Sequence, residues 1–146
     1  MPVTIQIRRL APKARLPEQQ HPGDAGWDLR ALEAVTIPPG ERCLVRTGLA
    51  VAIPAGWEGQ VRPRSGLALR RGLTVLNSPG TVDSGYRGEV CVILLNTDRE
   101  SQTLEAGERV AQMVIAPVAS EVVIVDAESL PESQRGEGGF GHTGHR

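Results

Sequence analysis

The chain reads as an all-β protein, on three observations. Apolar and polar residues alternate over short runs, the period of a strand with one buried face. Turn-forming Pro and Gly clusters punctuate those runs. Helical periodicity is almost absent. Short strands divided by such turns predict a sandwich, a barrel or a jelly roll. At 146 residues the chain is expected to form one domain with a proper core.

In chain order, Val3-Thr4-Ile5-Gln6-Ile7 and Arg42-Cys43-Leu44-Val45-Arg46 alternate cleanly. Further β-rich runs are Leu73–Leu76, Val90–Leu95, Val110–Ile115 and Val122–Val125. Turns are expected at Pro38-Pro39-Gly40, Pro54-Ala55-Gly56, Ser78-Pro79-Gly80 and Glu105-Ala106-Gly107. Eleven prolines fit between strands better than within central ones. One stretch breaks the pattern: Ser65-Gly66-Leu67-Ala68-Leu69-Arg70-Arg71-Gly72 predicts a two-turn helix. Ser65 is its expected N-cap and Gly72 its C′ residue, with arginines near the negative end of the dipole. Such a helix either plugs one end of a barrel or offers backbone N–H groups to an anion beside Arg64 and the Ser65 hydroxyl. The two roles are compatible.

The bulk numbers exclude several classes. A net charge of −1 gives no reason to expect global electrostatic attraction to nucleic acid or membranes. Only Cys43 and Cys91 are cysteines, both in alternating apolar runs, and are expected as buried reduced thiols rather than a disulfide framework. Met1–Arg9 lacks the apolar run of a signal peptide, and no stretch approaches the roughly eighteen apolar residues of a membrane span. A cytoplasmic location is expected. Near the C-terminus, Gly136-Glu137-Gly138-Gly139-Phe140-Gly141 matches G-x-G-x-x-G. That pattern binds a dinucleotide only where it opens a helix. Only five residues follow Gly141 here, too few for that helix, so a Rossmann site is not expected.

Four segments carry polar or flexible residues where a β domain would otherwise simply turn. Ala25 to Ala31 sets Asp28 between Trp27 and Leu29, and Val61 to Ala68 contains Arg64, Ser65 and Gly66. Asn77 to Glu89 combines an amide, a turn, Asp83 and the chain's one tyrosine, Tyr86, and Gly107 to Ile115 carries Gln112 in an apolar strand. Singly, each has a bland account as a turn cap, a loop residue or a solvent-facing side chain.

In this order, and followed by Arg135 to Gly144, the set resembles the five motifs of the trimeric dUTP pyrophosphatases (dUTPases). The match runs from about residue 20 to residue 144 without insertions. The resemblance implies a jelly-roll-like β-barrel of short strands with one short helix over residues 1–126. It implies a flexible glycine-rich tail over residues 127–146 that serves as an active-site lid. It further implies a homotrimer with active sites shared between subunits, cleaving dUTP to dUMP and pyrophosphate by Mg²⁺-assisted attack of water on the α-phosphate.

By the same resemblance Asp83 is the carboxylate that polarises the attacking water, a task open to a group ionised at neutral pH. Tyr86 packs against the deoxyribose, Asn77 reads the uracil edge, Gly80 and Val82 are further substrate contacts, and a tight backbone hairpin excludes a thymine methyl. A site built to pair with uracil rejects cytosine by about 10⁴ or more, because its buried polar groups would lose their partners. Arg64, Ser65, Gly66 and Gln112 are the expected phosphate contacts. Asp28 acts through metal-bound water and local structure, and no direct protein ligand to Mg²⁺ is expected, since the substrate phosphates hold it. In the tail, Phe140 stacks on uracil while Arg135, Gly141, His142 and Thr143 meet the phosphates. His142 stands where many family members have serine, and it too can donate to phosphate. A dCTP deaminase, which shares the fold, needs a glutamate in the strand after the third motif, and Val90–Leu95 has none. A non-catalytic jelly-roll module would not need Asp83, Tyr86 and the tail together.

Overall fold

The computed structural model describes Met1–Arg146. Ten strands and one helix follow in chain order: β1 (Gln6–Arg9), β2 (Gly26–Arg30), β3 (Val35–Ile37), β4 (Arg42–Ala52), β5 (Trp57–Arg62), α1 (Ser65–Arg71), β6 (Leu73–Val75), β7 (Gly80–Val82), β8 (Glu89–Asn96), β9 (Gln102–Leu104) and β10 (Arg109–Pro117). They form two four-stranded antiparallel sheets, β1-β4-β8-β6 and β2-β10-β5-β7, with β3 and β9 paired separately. The all-β class with one short helix is as expected, but the sheets remain separate ladders and do not close into a barrel. The inner faces of both large sheets share one core, to which Val45, Val92 and Leu94 contribute from one side and Leu29, Ala111 and Met113 from the other. Strand β8 shows the alternation most clearly: Val90, Val92, Leu94 and Asn96 are buried, and the residues between them half-exposed.

Three expectations are corrected. Helix α1 begins at Ser65, and its cap position is Arg64, in extended conformation with no side-chain cap. The Arg64 side chain turns instead toward Asp28. Gly72 does close the helix in the left-handed region, at φ 62°. Val122–Val125 forms no strand and is 64–92% exposed. Those four residues are continuously apolar rather than alternating, and no sheet edge of the same chain pairs with them. Cys43 and Cys91 are free, as expected, but only half-buried. Burial raises the Cys91 thiol pKa.

Strand β4 runs longer than its alternation suggested because it crosses an irregularity between Arg46 and Ala50. Gly48 sits there at φ 72°, where a Cβ would lie 2.9 Å from that of Ala14 and 3.0 Å from Leu32 Cδ1. Glycine alone satisfies both the backbone and the space. The Glu89 carboxylate fastens this kink, accepting from the Gly48 N–H at 3.1 Å and from the Arg46 guanidinium at 3.1 Å.

The hydrogen bond from Arg46, aided by the Gly48 N–H, holds the Glu89 carboxyl below its ordinary pKa of 4.5. A carboxyl depressed by folding stabilises the protein above its unfolded-state value, and that contribution is lost as pH falls through the folded-state value. Glu89→Gln is therefore expected to unfold at lower urea than the parent at pH 7, with the gap shrinking as the pH drops below about 4.5. A gap that stays constant down to pH 3 would contradict this role.

Candidate active site

Strand β10 lies between β2 and β5, and its register sets Gln112 opposite Asp28 on one side and Arg62 on the other. Gln112 is the half-exposed residue between buried Ala111 and Met113, so its amide emerges on the outer face. Its Nε2 donates to the Pro63 carbonyl at 2.9 Å, which ties β10 to the segment leading into α1. A Cβ on Gly26 would fall 2.0 Å from Gln112 Oε1, so a glycine is needed there for the amide to fit.

Asp28 is 8% exposed and carries three side-chain contacts. Gln20 Nε2 donates to Oδ2 at 2.7 Å, Arg109 Nη1 approaches Oδ2 at 3.5 Å, and Arg64 Nε lies 3.4 Å from Oδ1. Burial first, and then repulsion from Arg109, lower the Arg64 pKa from its usual value, while Asp28 opposes the shift. One carboxylate thus holds two guanidiniums that would otherwise repel each other. Asp28, Arg64, Ser65, Gly66 and Gln112 line one polar cleft of about 350 Å³. Three of the four body motifs therefore meet at one place.

The third motif touches them only at Ser78 and Pro79, which line a polar hollow of about 440 Å³ with Ser65 and Gln112. Asn77, Gly80, Val82 and Tyr86 line a second hollow of about 170 Å³ that shares no residue with the polar cleft. Leu44, Cys91 and Ile93, from the outer face of the β4–β8 pair, are among its other lining residues. The Tyr86 hydroxyl donates to the Glu89 carbonyl at 2.9 Å, and a Cβ on Gly88 would lie 2.4 Å from that hydroxyl. Asp83 is exposed on the turn closed by the hydrogen bond from Tyr86 N to its own carbonyl. Its carboxylate makes no ion pair. Strand β8 begins at Glu89, one residue earlier than expected, so it does carry a carboxylate. That group is engaged by Arg46 and the Gly48 N–H.

The tail stands apart from both hollows. Arg135, Gly141, His142 and Thr143 border a shallow hollow of their own, and Phe140 is fully exposed. The last hydrogen bond to the body is from Val118 N to the Gly56 carbonyl, and those of residues 133–144 stay within the tail. An apolar groove, lined by Val3, Ile5, Ile7, Trp27 and Trp57 among others, contains no titratable side chain and offers no chemistry. Sequence reasoning missed Gln20, Arg109 and the packing roles of Gly26 and Gly88. Arg109 lies in the fourth segment and Gly26 in the first, but nothing in the residue pattern marks Gln20.

Two carboxylates border the polar cleft, Asp24 and Asp28. No group of three or more His, Cys, Asp or Glu side chains is placed to hold a metal ion. These two carboxylates fit a hydrated ion held mainly by polyphosphate, to which they would bind through water.

The dUTPase family model matches residues 12–144. A deoxyuridine 5'-triphosphate nucleotidohydrolase of Anaeromyxobacter sp. is 55% identical over 99% of both chains. That of Thermobifida fusca is 54% identical over 97% of this chain and 79% of its own. Among solved structures, a dUTPase of Staphylococcus bacteriophage 80alpha with dUpNHpp superposes with a TM-score of 0.88 at 30% identity, covering 97% of this chain and 99% of that one. A phage phi11 dUTPase of S. aureus, whose structure reveals the coordination of a structural Mg(II) ion, gives 0.79 at 28% identity over 86% and 97%. Similarity over nearly the whole length, together with the five segments in order, means that the chain belongs to the dUTPase family, with its jelly-roll fold and its hydrolysis of dUTP.

Proposed function

We propose that dUTP binds across two half-sites on different copies of the chain and is cleaved to dUMP and pyrophosphate by water attack on the α-phosphate. The observation that carries this reading is the separation of the two hollows within one chain. The polar cleft has cations and donors for a polyphosphate, and the smaller hollow has an amide, a tight hairpin and an aromatic ring for a nucleoside. Arg64, Ser65, Gly66 and Gln112 then hold phosphates, Asn77 meets the uracil edge, and Tyr86 fills the space beside C2′ of the sugar. The backbone of β7 and the turn that follows it leaves no room for a thymine methyl. Asp83, exposed and unpaired beside Tyr86, takes the proton of the attacking water. Bound Mg²⁺ supplies charge neutralisation on the phosphates, and the remaining catalysis is positioning.

The assembly is a homotrimer in this reading. Its support lies in apolar surface that a lone chain leaves in water: Leu44 on the outer β4–β8 face, 60% exposed, and the whole of Val122–Val125. The tail closes over the bound nucleotide, with Phe140 on the base and Arg135, Gly141, His142 and Thr143 at the phosphates. Five of its last twelve residues are glycine, so its ordering is left to the ligand. No helix is long and apolar enough to cross a membrane. The setting is the cytoplasm, where dUTP hydrolysis keeps uracil out of DNA and supplies dUMP for dTMP synthesis.

Pyrophosphate release from dUTP, set against dCTP, dTTP and UTP, tests the substrate assignment, with dUTP expected to dominate. In the same assay Asp83→Asn is expected to lower kcat by about 10²–10⁴ while dUTP binding persists. An unchanged kcat would move the base to another residue.

Deleting residues 134–146 is expected to leave the melting temperature almost unchanged, since no body hydrogen bond is lost. Hydrolysis is expected to fall by about 10² or more once the lid and its phosphate contacts are gone. A truncated chain working at the full-length rate would contradict the lid.

A further inference from the structure

The contacts around Asp28 are ordered unexpectedly. An arginine and a buried carboxylate ordinarily form a bidentate pair at about 2.7–2.9 Å. Arg64 instead meets Asp28 through Nε alone, at 3.4 Å, and Arg109 stands off at 3.5 Å. The shortest contact comes from a neutral amide, Gln20 Nε2, at 2.7 Å. Gln20 shares Oδ2 with Arg109, so the second oxygen is not open to Arg64. The outer nitrogens of Arg64 make no hydrogen bond within the protein, and the residue borders the polar cleft.

The loop that carries Gln20 is braced on both sides. The Asp28 N–H donates to the Glu18 carbonyl at 2.8 Å, which lays the loop against β2. Gln19 Nε2 donates to the Asp24 carbonyl at 2.7 Å, and the His21 N–H donates to Asp24 Oδ2 at 3.0 Å. The Asp24 N–H returns to the His21 carbonyl at 3.1 Å. Gln20 lies between these anchored neighbours, so its amide is delivered to the carboxylate with little freedom left to lose.

We propose that Gln20 is a positioning residue for phosphate binding: by occupying Asp28 Oδ2 it prevents a bidentate Asp28–Arg64 pair and keeps the outer nitrogens of Arg64 available to the substrate phosphates. The inference rests on the phosphate role of Arg64 given above. Gln20 touches no reacting atom in this scheme and acts only through Asp28 and Arg64. Without the amide only Arg109 faces Oδ2, from 3.5 Å, so Arg64 rotates to share that oxygen and each phosphate must first break the new ion pair.

The test compares the full-length parent with Gln20→Ala, Asp28→Asn and the double variant. Gln20→Ala is expected to raise the KM for dUTP about tenfold, the effect of one charge-assisted contact, with kcat and melting temperature nearly unchanged. In the Asp28→Asn background, Gln20→Ala is expected to add nothing further, because both changes act on the same contact. An unchanged KM, a loss additive with Asp28→Asn, or a loss that follows a fall in melting temperature would each overturn the proposal. Calorimetry with inorganic pyrophosphate separates this inference from the reading beneath it. Gln20→Ala should weaken pyrophosphate binding by a similar factor, whereas failure of the parent to hydrolyse dUTP would defeat the substrate assignment alone. Equal pyrophosphate affinity in parent and variant would also overturn the role of Gln20.

Discussion

The pairing of β10 with both β2 and β5 is the constraint on which the rest of the site depends. Because one strand lies between the other two, a single register brings Asp28, Gln112 and Arg62 into one row across the sheet. A slip of one residue would turn Gln112 inward and set Ala111 or Met113 on the cleft. The register is fixed by burial of those two residues on the opposite face and by fit at Gly26. The entry to α1 is then tied down by the bond from Gln112 to the Pro63 carbonyl. Packing of the core and placement of the polar cleft are therefore one event.

Charge is arranged around this row with the same economy. Arg64 and Arg109 share Asp28, the one buried carboxylate in the chain. Such a cluster contributes little net stability, since taking the charges out of water offsets much of their attraction. Its effect lies in geometry, holding cations near a cleft where a polyphosphate would replace water as their partner. The Arg46–Glu89 pair differs in kind. It sits on the outer face and fastens the Gly48 kink of β4, so it acts on the fold and not on the phosphates.

Features that depend on a local period were legible in the sequence. The β-rich runs that became β8 and β10, the turns at Gly40, Gly56 and Gly107, and the left-handed Gly72 all appear where residue type alone places them. Features that depend on a tertiary neighbour were less so. Ser65 has the chemistry of a cap, yet the chain enters the helix with Arg64 extended toward Asp28. Val122–Val125 has the composition of a strand, but a strand needs a partner edge, and none is available within one chain. Gln20 escaped notice because its meaning comes from a carboxylate eight positions away, brought close by the loop that folds back on β2. The candidate site residues stand out in the sequence as a set of ordered segments, but how those segments divide in space could not be read from order along the chain.

That division is the central claim: a phosphate half-site from one copy completes a nucleoside half-site from another. In a closed symmetric trimer each copy contributes one half to each of two sites. Arg64→Gln would disable the phosphate half and Asp83→Asn the nucleoside half, so each variant alone should be nearly inactive. Any trimer mixed from the two contains one site with both halves intact. The most direct measurement is dUTP hydrolysis after the two variants are unfolded together and refolded together, set against the same variants refolded apart. Recovery of activity only in the co-refolded sample is the result this account predicts. Activity no higher than the sum of the separate variants, in a sample shown to contain mixed trimers, would contradict it.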